Sequence, residues 1–265
     1  MDTLDFNHRP KEPNFADGLN ALIDRALEAE NETRPGRDYL GGSRLGDPCA
    51  RRLQFEYLNV PRDPGAGFPG RTLRTFAMGH SLEDLAVEWL RKAGLDLRTR
   101  NRSGEQFGFS VAGGRVKGHI DGVIAGAPAD LDLSFPMLWE CKTMNDKHWR
   151  DTAKKGVTVT KPIYAAQMAI YQAYMEPSIP GIASQPALFT AINKDTQELW
   201  LELVPFDAAL AQRMSDRAVK VIQATEAGEL LPRVASEPSF YECKYCAWAR
   251  RCWREQGVSA SGVQS

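Results

Sequence analysis

"GHIDGVIAG", Gly118 to Gly126, and "LWECKT", Leu138 to Thr143, decide the fold. Each is a short apolar run of strand length. Side chains alternate faces along a strand, so Glu140 and Lys142 point one way while Trp139 and Cys141 point the other. Asp121 closes its own run between Gly118 and Gly122, residues that let backbone or ligand approach closely. Two arrangements satisfy this pattern. A solvated β-hairpin would carry an Asp before a turn and a Glu-x-Lys pair on an exposed face. A metal site would bring two carboxylates and an ammonium onto one face, which suits a hard cation with oxygen ligands. Glu140 lies in the mostly apolar "FPMLWEC", where an unpaired carboxylate is expensive to bury.

Upstream, "TLRTFAMGHSLEDLAVEWLRKAG" predicts a helix ending at Gly94. "ADGLNALIDRALEAENE" has the apolar spacing of an amphipathic helix. "DPCARRLQFEYLNV" predicts a short one with Asp47 as N-cap and Pro48 at the first helical position. From Leu95 to Thr143, alternating runs cut by "SGE" and "AGGR" predict an antiparallel meander. Downstream, "KPIYAAQMAIYQAYM" is a helix stopped by Pro177, and "ALFTAINKDTQELWLELVPF" is two strands joined at "NKDTQ". "DAALAQRMSDRAVKVIQATEAGEL" is a long helix capped by Asp207. This order predicts one α/β core with a helical and cysteine-bearing surround.

The chain has 265 residues and a formal charge of -1, from 33 basic and 34 acidic side chains. Any nucleic-acid surface must therefore be a local basic patch. No run is long and apolar enough for a membrane span, and the start lacks the apolar core of a signal peptide. The expectation is a soluble, cytoplasmic protein. Residues 1–40 are expected to form an N-terminal arm and helix, 41–256 one domain, and 257–265 a disordered tail of small residues.

Three of the five cysteines fall in "CKYCAWARRC", spaced C-x2-C-x5-C. A tetrahedral metal site or a cubane needs four thiolates. Cys141 packs on the far face of its strand between Glu140 and Lys142, so Cys49 is the better fourth partner for Cys243, Cys246 and Cys252. Iron–sulfur and zinc both accept such a set. Basic residues gather at Arg51 and Arg52, in "KHWRDTAKK" (Lys147, Arg150, Lys154, Lys155), and in "ARRCWR". Interleaved Trp149, Trp248 and Trp253 are candidates to stack on bases.

G-x-x-D, then E-x-K, then Q-x-x-x-Y on the next helix resembles the PD-(D/E)XK nuclease superfamily, RecB-like branch. The matching residues are Gly118–Asp121, Glu140–Lys142 and Gln167–Tyr171. The resemblance implies a restriction-endonuclease-like fold, a mixed central sheet flanked by helices. It also implies Mg2+- or Mn2+-dependent phosphodiester hydrolysis at Asp121, Glu140 and Lys142, with Gln167 and Tyr171 facing the site. The Cys141 backbone carbonyl is implied as a further metal ligand. The family's upstream motif aligns Gly79 with Glu83 as a metal ligand, His80 being the second choice. One distant Cys followed by C-x2-C-x5-C resembles the iron–sulfur exonucleases of CRISPR adaptation, AddB-type nuclease domains and their stand-alone phage relatives. "CARRLQFEY" is similar to their Cys-x-Arg start, with Arg51 as the Arg. This implies a structural [4Fe-4S] cluster, with Zn2+ as the alternative.

The expected function is a metal-dependent DNA exonuclease acting on ends in recombination, repair or end-processing. Its expected partners are DNA and a recombinase, single-strand-binding protein or helicase, in a molecule free to oligomerise. The alternatives are a non-catalytic DNA-binding module and an endonuclease on the same fold. No Walker A pattern supplies a motor.

Overall fold

The computed structural model describes residues 14–254. The expected N-terminal arm and the tail lie outside the described residues. Helices and strands follow in the order α1 (Phe15–Glu32), β1 (Leu40–Gly41), α2 (Ala50–Tyr57), α3 (Gly70–Lys92), β2 (Leu97–Arg98), β3 (Gly108–Val111), β4 (Val116–His119), β5 (Gly122–Ile124) and β6 (Met137–Met144). Then follow α4 (Asp146–Lys155), α5 (Val157–Thr160), α6 (Pro162–Met175), β7 (Ala187–Asn193), β8 (Leu199–Val204), α7 (Ala208–Glu226), α8 (Tyr241–Lys244) and α9 (Ala249–Arg254).

The local signals account for most of these boundaries. Gly94, at φ +94°, follows the end of α3 in a conformation that favours glycine. The Asn145 side chain accepts from the His148 N–H to open α4, and Asp207 accepts from Leu210 to open α7. Pro162 starts α6, where its missing N–H leaves no helical bond unmade. The expected start of α2 shifts. Cys49, not Asp47, is the N-cap residue, and the Asp47 carboxylate instead accepts from the Cys49 N–H at 2.9 Å.

The expected meander is divided. β1, β4 and β3 form one sheet, while β2-β5-β6-β7-β8 form another, and the chain passes from the first to the second at Ile120–Asp121. The larger sheet is mixed: β6 and β7 run parallel, and the other pairs are antiparallel. β7 is buried throughout, as a central strand covered on both faces must be. Two apolar clusters lie against this sheet. One holds Leu138 and Phe189 with Met168, Ile170 and Tyr171 of α6 and Val221 of α7. The other holds Trp139, Cys141, Leu188 and Ile192 with Ala86, Val87 and Leu90 of α3. Alternation along β6 therefore hands Glu140 to the α6 side and Cys141 to the α3 side, as the sequence requires.

Candidate active site

β5 and β6 pair from Ile124↔Met137 to Gly122↔Trp139 and then part. Beyond that point the Asp121 side chain takes over as partner, its Oδ2 accepting from the Cys141 N–H at 2.8 Å. Asp121 thus sits in the seam between the two sheets, held against the strand that carries Glu140 and Lys142.

Glu140 has no solvent exposure, so the solvated-hairpin arrangement fails. Its Oε1 accepts from Gln167 Nε2 at 2.5 Å and from Lys142 Nζ. Its Oε2 has no partner. An unsatisfied buried polar atom costs about 1–3 kcal/mol, and more when charged, so the arrangement calls for a further cation or proton. The Lys142 ammonium lies 3.1 Å from the Cys141 carbonyl oxygen and 3.8 Å from Asp121 Oδ2. Oxygens of Asp121, Glu140 and Cys141 therefore already converge on one positive centre, the donor chemistry a hard divalent ion takes. Among the described residues, no three His, Cys, Asp or Glu side chains are drawn together tightly enough to hold one ion.

The electrostatics follow from three carboxylates sharing one ammonium. Burial, then the Asp121 charge, pushes Glu83 up to about 7. Burial and Asp121 likewise hold Glu140 above the usual carboxylate range, although Lys142 pulls it down. Burial opposes the charge on Lys142, but Glu140 and Asp121 outweigh it, and the lysine stays protonated. Glu83 thus stands within electrostatic reach of Asp121 and Lys142, while His80 is exposed on α3.

Gln167 and Tyr171 share the inward face of α6, both buried. Tyr171 packs edge-on against Phe109 at 5.5 Å between centroids. Burial, then Glu140, raises the pKa of its hydroxyl above the ordinary phenol value. Gly118 is glycine because of these rings. A Cβ there would lie 2.6 Å from Phe109 and 2.9 Å from Tyr171. At Gly122 the neighbours are Leu97 and Trp139. Both glycines admit side chains, where the sequence left backbone or ligand open. Sequence reasoning missed Tyr164, whose ring lies 5.6 Å from Lys142 Nζ. Its spacing of three from Gln167 on the same helix was the available signal.

Cys49, Cys243, Cys246 and Cys252 line one cavity, together with Arg51, Arg52, Phe55, Arg233 and Trp253. Cys141 is elsewhere, buried beside α3. All five thiols are free. Burial, then Cys49, raises Cys243, while burial raises Cys246, with Cys49 and Cys252 adding to it. The Arg51 guanidinium is spent here, donating to the Leu231 carbonyl at 2.6 Å and lying 3.9 Å from Cys252 Sγ. The cavity gathers the donor type that a thiolate-held metal group takes, with three guanidinium groups around it, but among the described residues its sulfurs are not drawn close enough to hold one ion. The larger cavity, about 200 Å³ between α5, α6 and α7, contains none of these residues.

Lys147, Arg150, Lys154 and Lys155 lie on α4, directly after the Glu140–Lys142 strand. Arg150 pairs with Asp146 and Lys155 with Asp151. Of the tryptophans expected to stack, Trp248 is buried and Trp149 and Trp253 are half-buried. Trp149 packs on the core and donates to the Ala191 carbonyl at 3.0 Å. Trp248 is buried and donates to Val60 at 2.9 Å, and the Trp253 ring lies under Arg233. Among the described residues, no helix is long and apolar enough to cross a membrane.

No family model and no curated protein matches this sequence. Among solved structures, the chain is similar to the crystal structure of SSO0001, with 16% identity and a TM-score of 0.49 over 90% of this chain and 98% of that one. It is also similar to an alkaline exonuclease, LHK-Exo, from Laribacter hongkongensis, with 17% identity and a TM-score of 0.49 over 77% of this chain and 93% of that one. The same exonuclease in complex with dAMP matches with 16% identity and a TM-score of 0.48, over 78% and 93% of the two chains.

Proposed function

We propose that the chain is a Mg2+- or Mn2+-dependent DNA exonuclease of the PD-(D/E)XK type, acting on DNA ends in recombination, repair or end-processing. The observation that carries this reading is a fully buried Glu140 with a bare Oε2, set among Asp121, Glu83 and one ammonium. A structural ion pair has no use for the extra carboxylates, because each adds repulsion that Lys142 alone does not cancel.

Asp121, Glu140 and the Cys141 carbonyl, with Glu83 beside them, are the residues that would hold the ion. When bound, it would polarise the scissile phosphate and acidify a water molecule. Gln167 fixes the Glu140 carboxylate by occupying Oε1. Lys142 keeps its proton and offers positive charge to the phosphate oxygens as negative charge grows on them. Lys147, Arg150, Lys154 and Lys155, on the helix that follows the Glu140–Lys142 strand, are the proposed contacts to the DNA backbone, which would give salt-sensitive binding without base reading. The same reading assigns a structural [4Fe-4S] cluster, with Zn2+ as the alternative, to Cys49, Cys243, Cys246 and Cys252, on the donor type that lines their cavity.

The test is degradation of end-labelled linear single- and double-stranded DNA against a closed circle, in Mn2+, with Lys142→Ala as control. Loss of only the linear substrates, abolished in the variant, is the expected result. Cutting of the circle would make the protein an endonuclease. DNA retention without cutting would make it a binding module.

A further inference from the structure

The face of α3 that turns toward the site runs on past it. Gly79 and Glu83 lie on one helical stripe, and both address β6: a Cβ on Gly79 would lie 3.5 Å from Thr143 Oγ1, and Glu83 feels Asp121 and Lys142. Further along, Ala86 and Leu90 on the same stripe are buried against the sheet. Continued toward the N-terminus, the stripe reaches Phe76, which is 45% exposed. A phenylalanine on the inward stripe should be buried. It is not, and its ring meets Phe68 edge-on at 5.1 Å between centroids. Arg62 lies over the outer Phe68 ring at 4.1 Å.

The far side of this helical segment is braced. Arg74 pairs with Asp24 of α1, and the Gly70 N–H donates to Glu28 at 2.7 Å. The loop carrying Arg62 and Phe68 is pinned as well. The Asp63 N–H donates to the Ala247 carbonyl at 2.9 Å, and its carboxylate accepts from the Arg250 N–H at 2.6 Å. Two rings and a guanidinium are therefore exposed to water, one helix turn beyond Gly79.

Resting on the nuclease reading above, we infer that Phe76, Phe68 and Arg62 form a stacking platform for unpaired bases of the single-stranded DNA that leads to the site. Phe76 lies about 10 Å from Glu83 along the helix axis, at 1.5 Å per residue. That distance is roughly three nucleotides at 3.4 Å per base. Aromatic faces take any base, and a nearby cation strengthens the contact and meets the backbone. This places the base-stacking role on phenylalanines beside the site, while Trp248 is buried and Trp149 and Trp253 are half-buried.

The test uses the full chain and a short fluorescein-labelled oligothymidylate, followed by anisotropy in Ca2+, alongside cleavage of linear DNA in Mn2+. Phe76→Ala should weaken oligonucleotide binding about tenfold, the effect of losing one stacked base. Phe76→Trp should restore it, which a purely structural role would not require. Because Phe76 is half exposed, neither variant should move the thermal midpoint appreciably. A Phe76→Ala protein that binds and cuts like wild type would overturn the platform and leave the nuclease reading intact. A wild-type protein that neither binds nor cuts DNA would overturn both.

Discussion

The acidic site and the cysteine cavity both gather side chains suited to a metal, and the chain builds them in opposite ways. Asp121, Glu140, Lys142 and Gln167 stand on or beside long elements, with Glu140 covered by α6 and its strand paired on both sides. The cavity is framed by the eight-residue α2 and by the very short α8 and α9, joined by loops. The acidic site is thus imposed by a scaffold that would exist without it, at an electrostatic cost. In the cavity the thiols sit where secondary structure is sparse, and a bound group would itself supply the cohesion.

That contrast is broken or sharpened by substitution. Lys142→Ala and Asp121→Asn should each lower DNA cleavage by about three orders of magnitude or more while preserving the far-UV spectrum, since they remove charge from the reacting centre. Asparagine is preferred at 121 because its side-chain oxygen can still accept from the Cys141 N–H. A fully active Asp121→Asn protein would detach the chemistry from this site. Cys246→Ala should do the reverse, giving colourless or insoluble protein. Absorbance and metal content after anaerobic purification would show it, and normal colour and solubility would remove the structural role of the cavity.

Gln167→Ala, which loosens Glu140 without removing a metal ligand, should cost about 10- to 100-fold in activity. The size of the loss separates an orienting role from a catalytic one. Gly118→Ala should destabilise the fold by about 1–3 kcal/mol, because Phe109 and Tyr171 must shift to admit a Cβ. Urea denaturation would measure it, and an unchanged midpoint would contradict the packing.

The gentlest probe is pH. Glu83 and Glu140 bind protons more tightly in the folded, metal-free protein than in the unfolded chain. Their contribution to stability is therefore present at low pH and lost as pH rises through the folded values, near 7 for Glu83. In chelator, the thermal midpoint of the wild type should fall over that range more than that of Glu140→Gln. Parallel curves would show that Glu140 is not the strained group.

Much of this is legible in the sequence. The alternation at "LWECKT" gave Glu140 and Lys142 a common face, and the spacing of Gln167 and Tyr171 put them on one side of α6. Caps at Asp207 and the stop at Gly94 followed from local backbone chemistry. Such features depend on neighbours a few residues away, and the sequence carries them directly.

The remainder was decided by contacts between distant segments. No periodicity announces that the meander splits at Ile120–Asp121, because a strand does not encode which partner it will take. The sequence alone could not place Arg51 against Cys252, tie Trp149 to the Ala191 carbonyl, bury Trp248 against Val60, or leave Phe76 half exposed beside Phe68. The sequence determined the order and spacing of the chemical groups. The tertiary structure decided which of them share one buried, low-dielectric space, where their charges and unmet hydrogen bonds act on each other.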